Sequence, residues 1–173
     1  VVANPNFLAD LPPDDQDPGM DRCEQCGFDP TTVTFEDALA IVGEAPDRWA
    51  AAMPTARTTE TWSPVAYLWH VVEVLRIGTE RFWSFTLDPT AALPEWSADE
   101  MAVARSYEAQ SVAVGLQSLR AAAPLWVGAA LSCPGDVRAA HAELGMAGRD
   151  DFVWRHAHEV VHHLMDVGAG AGA

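Results

Sequence analysis

Residues 63–88 read S-P-V-A-Y-L-W-H-V-V-E-V-L-R-I-G-T-E-R-F-W-S-F-T-L-D, with Pro89 next. Serine followed by proline is a helix start. The hydroxyl accepts from first-turn N–H groups, and proline suits the first helical position, where its missing N–H is not needed. Asp88-Pro89 marks the stop, because proline pushes the residue before it out of the helical region. Between these signals Tyr67, Val71, Val74, Leu75, Gly78 and Phe82 form one apolar stripe at helical spacing. A helix this long must bury that stripe against other elements.

The candidate partners are also helical. One opens at Thr34, with Asp37 three residues on as its capping partner, and runs to about Met53. Gly43 and Pro46 leave its middle open to being one helix or two pieces. A third begins in the capping box Ser97-Ala98-Asp99-Glu100 and runs to about Ala123, where Pro124 is expected to end or kink it. After a Cys133-Pro134-Gly135-Asp136 turn, a short helical piece is expected over 136–144. The last helix starts near Asp150 or Asp151 and runs to Val167, where a Gly/Ala tail stops it. No strand-like alternation competes, and no internal repeat is present. The expected fold is all-α: an antiparallel four-helix bundle over residues 33–168. An extended acidic arm precedes it over 1–32, with seven Asp or Glu and five Pro, and a flexible tail follows over 169–173.

Composition narrows the function. A chain of 173 residues makes one domain with a core of its own. The net charge is −15, and all ten basic residues are arginine, which argues against nucleic acid. No apolar run reaches membrane-spanning length. The first ten residues lack the basic start and apolar stretch of a secretion signal, so a cytoplasmic location is expected. Three cysteines are too few for a disulfide framework.

The chemistry concentrates in H-A-H-E-V-V-H-H, residues 156–163, which hold four of the six histidines. His158-Glu159-Val160-Val161-His162 spells the H-E-x-x-H of zinc peptidases. The extended form fails, since Met165 and Gly168 stand where its glycine and last histidine belong. No strand edge is expected along which a peptide could lie, so the peptidase reading is rejected. His158 and His162, four apart on a helix, can share one metal, and a third donor must then come from upstream. His70 is that candidate, at the border of the apolar stripe of its helix. Spacing alone leaves two readings open: a three-histidine metal site between two helices, or partly buried and solvated histidines without a metal.

The segments W-S-P-V-A-Y-L-W-H-V-V-E-V-L and R-H-A-H-E-V-V-H-H-L-M-D-V resemble the two signature helices of the DinB/YfiT-like superfamily of metal-binding four-helix bundles. C-E-Q-C-G-F-D at 23–29 resembles the prefix of an actinobacterial subgroup of that superfamily. The resemblance spans about residues 23 to 167, with a longer last connection over 137–148. It implies His70, His158 and His162 as ligands of one divalent metal, zinc first with nickel and iron as alternatives. It also implies thiol-dependent S-transfer or isomerisation, in which a low-molecular-weight thiol such as mycothiol or bacillithiol attacks a small electrophile.

Around such a site Glu73 and Glu159 are candidate acid–base groups, each weighed against a solvated carboxylate. Arg76 and Arg81 are candidate substrate contacts. Asp166 either orients an imidazole or complements Arg155, and His156 and His163 read as structural. Cys23-x-x-Cys26-Gly27 is half a zinc knuckle. Cys133 and one of His141, His156 or His163 are the donors considered to complete it, with a redox pair and an inert turn as the other readings. The alternative to an enzyme is a non-catalytic bundle that binds metal or a small ligand or forms a homodimer. Seven tryptophans, Trp62, Trp69 and Trp83 among them, offer pocket or interface surface. No glycine-rich βα turn is present, which excludes a Rossmann methyltransferase.

Overall fold

The computed structural model describes residues 21–59, 61–88, 93, 96–141 and 145–168. Most of the acidic arm and the tail over 169–173 therefore lie outside the described residues. The elements are α1 (Phe35–Ala52), α2 (Pro64–Leu87), α3 (Ala98–Ala104), α4 (Val112–Ser132), β1 (Arg138–His141), β2 (Gly145–Gly148) and α5 (Arg149–Asp166). The starts follow their caps. Thr34 and Asp37 form the capping box of α1, and the Ser63 hydroxyl accepts from the Ala66 N–H at the head of α2. No helix among the described residues is long and apolar enough to cross a membrane.

Four helices make the bundle. α1 and α2 each pack on α4 and α5, so the sequential pair α1 and α2 lie diagonally across it. The core runs along the middle through Trp49, Trp126, Phe82, Phe85, Phe152, Leu68, Leu75 and Leu119, all fully buried. Close approach at two levels requires glycine on one helix. A Cβ at Gly78 would lie 2.5 Å from His156 Cε1, and one at Gly115 would lie 2.8 Å from Leu68 Cδ2.

One open expectation is decided and two others change. α1 is one continuous helix that carries Pro46 inside it. The helix expected from Ser97 to Ala123 is two helices. Ser106 adopts a left-handed conformation with φ 51°, a 3-10 turn follows over Tyr107–Ala109, and Ser111 caps α4. α4 then continues through Pro124, which sits on the exposed side where the Arg120 carbonyl that loses its partner can meet water. Finally, 136–144 is not helical. Arg138–His141 pairs antiparallel with Gly145–Gly148, with His141 opposite Gly145 at φ 68°. Small buried residues, Ala139, Ala140 and Ala147, let this hairpin lie flat on the bundle. Leu93 joins its edge, donating its N–H to the Ala140 carbonyl at 3.0 Å. Alanine favours helix locally, and tertiary packing overrides it here.

Candidate functional site

α5 carries chemistry on two faces. At 100° per residue, Val153, Ala157, Val160 and Leu164 point into the bundle, and all are buried. His156, Glu159 and His163 follow on the side toward α2. His158 and His162 lie about 160° from Val160, close to the outer face. They are shielded where the N-terminal segment 21–33 meets α5, with Cys23, Cys26 and Val33 packed against the core. Trp154 Nε1 donates to the Val33 carbonyl at 2.9 Å, and the ring of Phe28 packs 5.5 Å from that of His158.

The histidines expected to share one ion are therefore divided. His70 groups with Glu159 and His163, their donor atoms all within 4.8 Å of one another. His158 and His162 group with Cys23 and Cys26 under the same limit. Among the described residues no such group contains His70 together with His158 and His162.

In the first group a single oxygen, Glu159 Oε2, lies 3.1 Å from His70 Nε2 and 3.0 Å from His163 Nε2. Asp166 Oδ2 takes the other nitrogen of His163, Nδ1, at 2.8 Å. Burial opposes the charge on Glu159, but hydrogen bonds from His163 and His70 outweigh it and hold the carboxyl far below its usual range. Burial likewise works against a charged His163, and the two carboxylates beside it raise its pKa nonetheless. Glu159 is therefore turned to two imidazoles with 25% of its side chain still exposed, and His163 is held between two carboxylates. Trp62 backs this group, its ring 5.2 Å from that of His70.

Two of the three, His70 and Glu159, line a cavity of about 420 Å³ between α2, α3 and α5. Val74, Ile77 and Met101 give it an apolar side, Trp96 adds an aromatic one, and Arg81 and Arg155 bring cationic chains into its wall. Tyr107 also lines it, fully buried, with its hydroxyl lacking a hydrogen-bond partner among the described residues. Burial and the nearby Glu73 carboxylate push that hydroxyl up to about 12, so it stays protonated. Glu73 is buried on the same wall, but its Oε1 accepts from Arg105 Nη1 at 2.6 Å and Arg76 Nη1 at 3.3 Å. These pairings engage Glu73 as the anchor of two arginines, and they turn Arg76 toward Glu73. His156 is buried among Phe82, Trp126 and Phe152, accepting from Trp126 Nε1 at 2.9 Å. Burial, then the Arg81 charge, lower its pKa to about 3, leaving it neutral as the expected structural residue.

In the second group Cys23 Sγ lies 3.5 Å from His162 Nδ1. Backbone N–H groups of the Cys26 turn, opposed by burial, lower the Cys23 thiol to about 7, while burial raises Cys26. Burial lowers the pKa of His158 and keeps its imidazole neutral. The donors considered earlier to complete the cysteine pair lie elsewhere. Cys133 Sγ faces the Pro134 carbonyl at 3.7 Å, and His141 packs on Phe152.

No protein-family model matches the chain. No curated protein matches it either. Among solved structures it is similar to YfiT from Bacillus subtilis, described as a probable metal-dependent hydrolase with an unusual four-helix bundle topology. The two superpose with a TM-score of 0.64 over 78% of this chain and 86% of that one, at 12% identity. The fold is YfiT-like.

Within this YfiT-like bundle, the pairing of Glu159 with His163 is the feature that sequence reasoning passed over. Its signal was present, since an acid and a histidine four apart share a helix face just as the two histidines do. Tyr107 had no such signal, because the turn that buries it comes from the break at Ser106.

Proposed function

We propose that this chain is a divalent-metal-dependent enzyme acting on a small anionic molecule in the α2–α3–α5 cavity. A low-molecular-weight thiol serves as co-substrate for S-transfer or isomerisation. One observation carries the reading: His70 and Glu159, which line a cavity large enough for a substrate, converge with the imidazole of His163 behind them. Two histidines and a glutamate are a donor set that catalytic zinc sites use, with a position left for a reactant. The donors fit an ion. Their atoms lie within 4.8 Å of one another, and Asp166 fixes the His163 ring from its far nitrogen.

His70, Glu159 and His163 would hold the ion, which supplies polarisation of a carbonyl and a lowered pKa for a thiol or water. The protein's own groups do the rest. Arg81 and Arg155 present cationic chains to an anionic substrate group. Val74, Ile77, Met101 and Trp96 cover its apolar part and exclude water. The Tyr107 hydroxyl, protonated throughout the neutral range, donates a hydrogen bond to a substrate oxygen. Zinc is the first ion to test, followed by nickel and iron, because donor type alone does not choose among them.

The test is a paired activity screen of the purified chain, before and after chelation and metal return. It uses electrophiles with and without a thiol, and ester and amide substrates with water alone. Thiol-dependent turnover that vanishes on chelation and in His163→Ala supports the reading. Hydrolysis without thiol, the activity suggested for YfiT, retains the metal enzyme and removes the thiol. Metal binding at this group with no turnover of either kind leaves a ligand-binding bundle and overturns the enzyme.

A further inference from the structure

The cysteine–histidine group stands apart from that cavity, and its details point to a ligand of another kind. Cys23 and Cys26 lie in a tight loop: the Cys23 N–H donates to the Phe28 carbonyl at 2.8 Å, and the Gly27 N–H to the Cys23 carbonyl at 2.9 Å. Gly27 has φ 76°, the left-handed conformation that this turn needs and that glycine adopts without strain. The loop delivers two sulfurs to one side of α5, where His158 and His162 stand one turn apart with ring centroids separated by 5.1 Å.

Three further observations belong together. His158 Nε2 is buried and has no hydrogen-bond partner among the described residues, although a buried polar nitrogen is costly to leave unsatisfied. The Cys23 Sγ to His162 Nδ1 distance is 3.5 Å. Sulfur and nitrogen bound to one tetrahedral zinc at ordinary lengths are about 3.6 Å apart. On the other side of the His162 ring, Nε2 lies 3.7 Å from Asp166 Oδ2, where a carboxylate steadies a ligating imidazole.

We infer that Cys23, Cys26, His158 and His162 bind one zinc ion as a closed structural site, separate from the open His70–Glu159–His163 group. Two thiolates and two imidazoles fill a tetrahedral shell, so no position remains for a substrate. Softness of the thiolates favours zinc over the harder divalent ions. The site has a mechanical consequence. It ties the segment around Cys23 to the outer face of α5, and so fixes the rotation of that helix. The same rotation turns Glu159 and His163 toward His70. Asp166, between His162 and His163, touches both groups.

The test replaces zinc with cobalt in the full chain and reads the thiolate-to-cobalt charge-transfer absorption, which reports sulfur ligation alone. The wild type should show this band together with intense tetrahedral d–d absorption, a reading that needs no variant to fold. Cys133→Ser should keep the band. Cys23→Ser/Cys26→Ser should lose it, along with one equivalent of bound metal. His158→Ala/His162→Ala should lose or greatly weaken it. His70→Ala/His163→Ala should keep it unchanged. A wild type that takes up cobalt without the band overturns the site, as does a band that survives undiminished without both His158 and His162. The proposed enzyme fails separately. If the band is present and His70→Ala/His163→Ala removes no further metal, the closed site stands and the open one does not.

Discussion

His158 and Glu159 are consecutive on α5, yet His158 joins Cys23 and Cys26 while Glu159 lies 3.1 Å from His70 on α2. One residue of helix, a turn of about 100°, separates two chemistries. An outward-facing imidazole stays shielded only because the N-terminal loop covers it. The carboxylate is held charged in a half-buried place because two ring nitrogens face it.

Asp166 governs how firmly the open group can hold a metal. It bonds His163 Nδ1 at 2.8 Å, which directs Nε2 toward Glu159 and His70. Asp166→Asn should lower metal affinity at that group by about 10–100-fold. Competition against a chelator of known affinity measures this, and unchanged affinity would remove Asp166 from the orienting role.

Tyr107→Phe should separate function from stability. The hydroxyl is buried without a partner among the described residues, a burden of about 1–3 kcal/mol. Its removal should make the ligand-free protein more stable by about 1 kcal/mol and lower kcat/KM for the cavity's substrate. Denaturant unfolding and kinetics check both halves. A variant that loses stability and keeps full activity contradicts the assignment.

Acid should destabilise the fold through His156. Its pKa is about 3 in the fold against an ordinary 6.5, so at intermediate pH the unfolded chain takes up a proton that the native state refuses. This contribution to stability is complete above the ordinary value and is lost as pH falls toward the folded one, at about 1.4 kcal/mol per pH unit. His156→Gln can still accept from Trp126 and does not titrate. It should be less stable than the wild type at neutral pH, with the gap narrowing by roughly 2 kcal/mol by about pH 5. Unfolding curves at several pH values read this directly, and parallel curves for the two proteins would refute it.

Gly78→Ala should destabilise the bundle despite alanine's better helix propensity. The new methyl would meet His156 Cε1 at 2.5 Å and Trp126 Nε1 at 2.8 Å. Overpacking of this kind costs about 1–3 kcal/mol, against a propensity gain of about 1 kcal/mol. A lower Tm is expected, and an unchanged or higher one would show that α2 moves aside freely.

The sequence by itself determined the main helices. Thr34 with Asp37, and Ser63 with Pro64, set two starts because capping is local chemistry, and helical spacing of apolar residues set the faces of α2 and α5. It also singled out His70 and the octet at 156–163 as the candidate donors. Tertiary structure decided what local rules leave balanced. The break at Ser106 and the hairpin over 138–148 depend on what those segments pack against, which overrides alanine's preference for helix. The grouping of donors depends on the rotation of α5. Trp154, Val161 and Met165 make its outer face look like core, and only the folded N-terminal segment shows what meets Trp154. A turn of one residue exchanges the pair His158 and His162 for the pair Glu159 and His163. Nothing in a one-dimensional pattern fixes that angle, and the packing of α5 on α1 and α2 does.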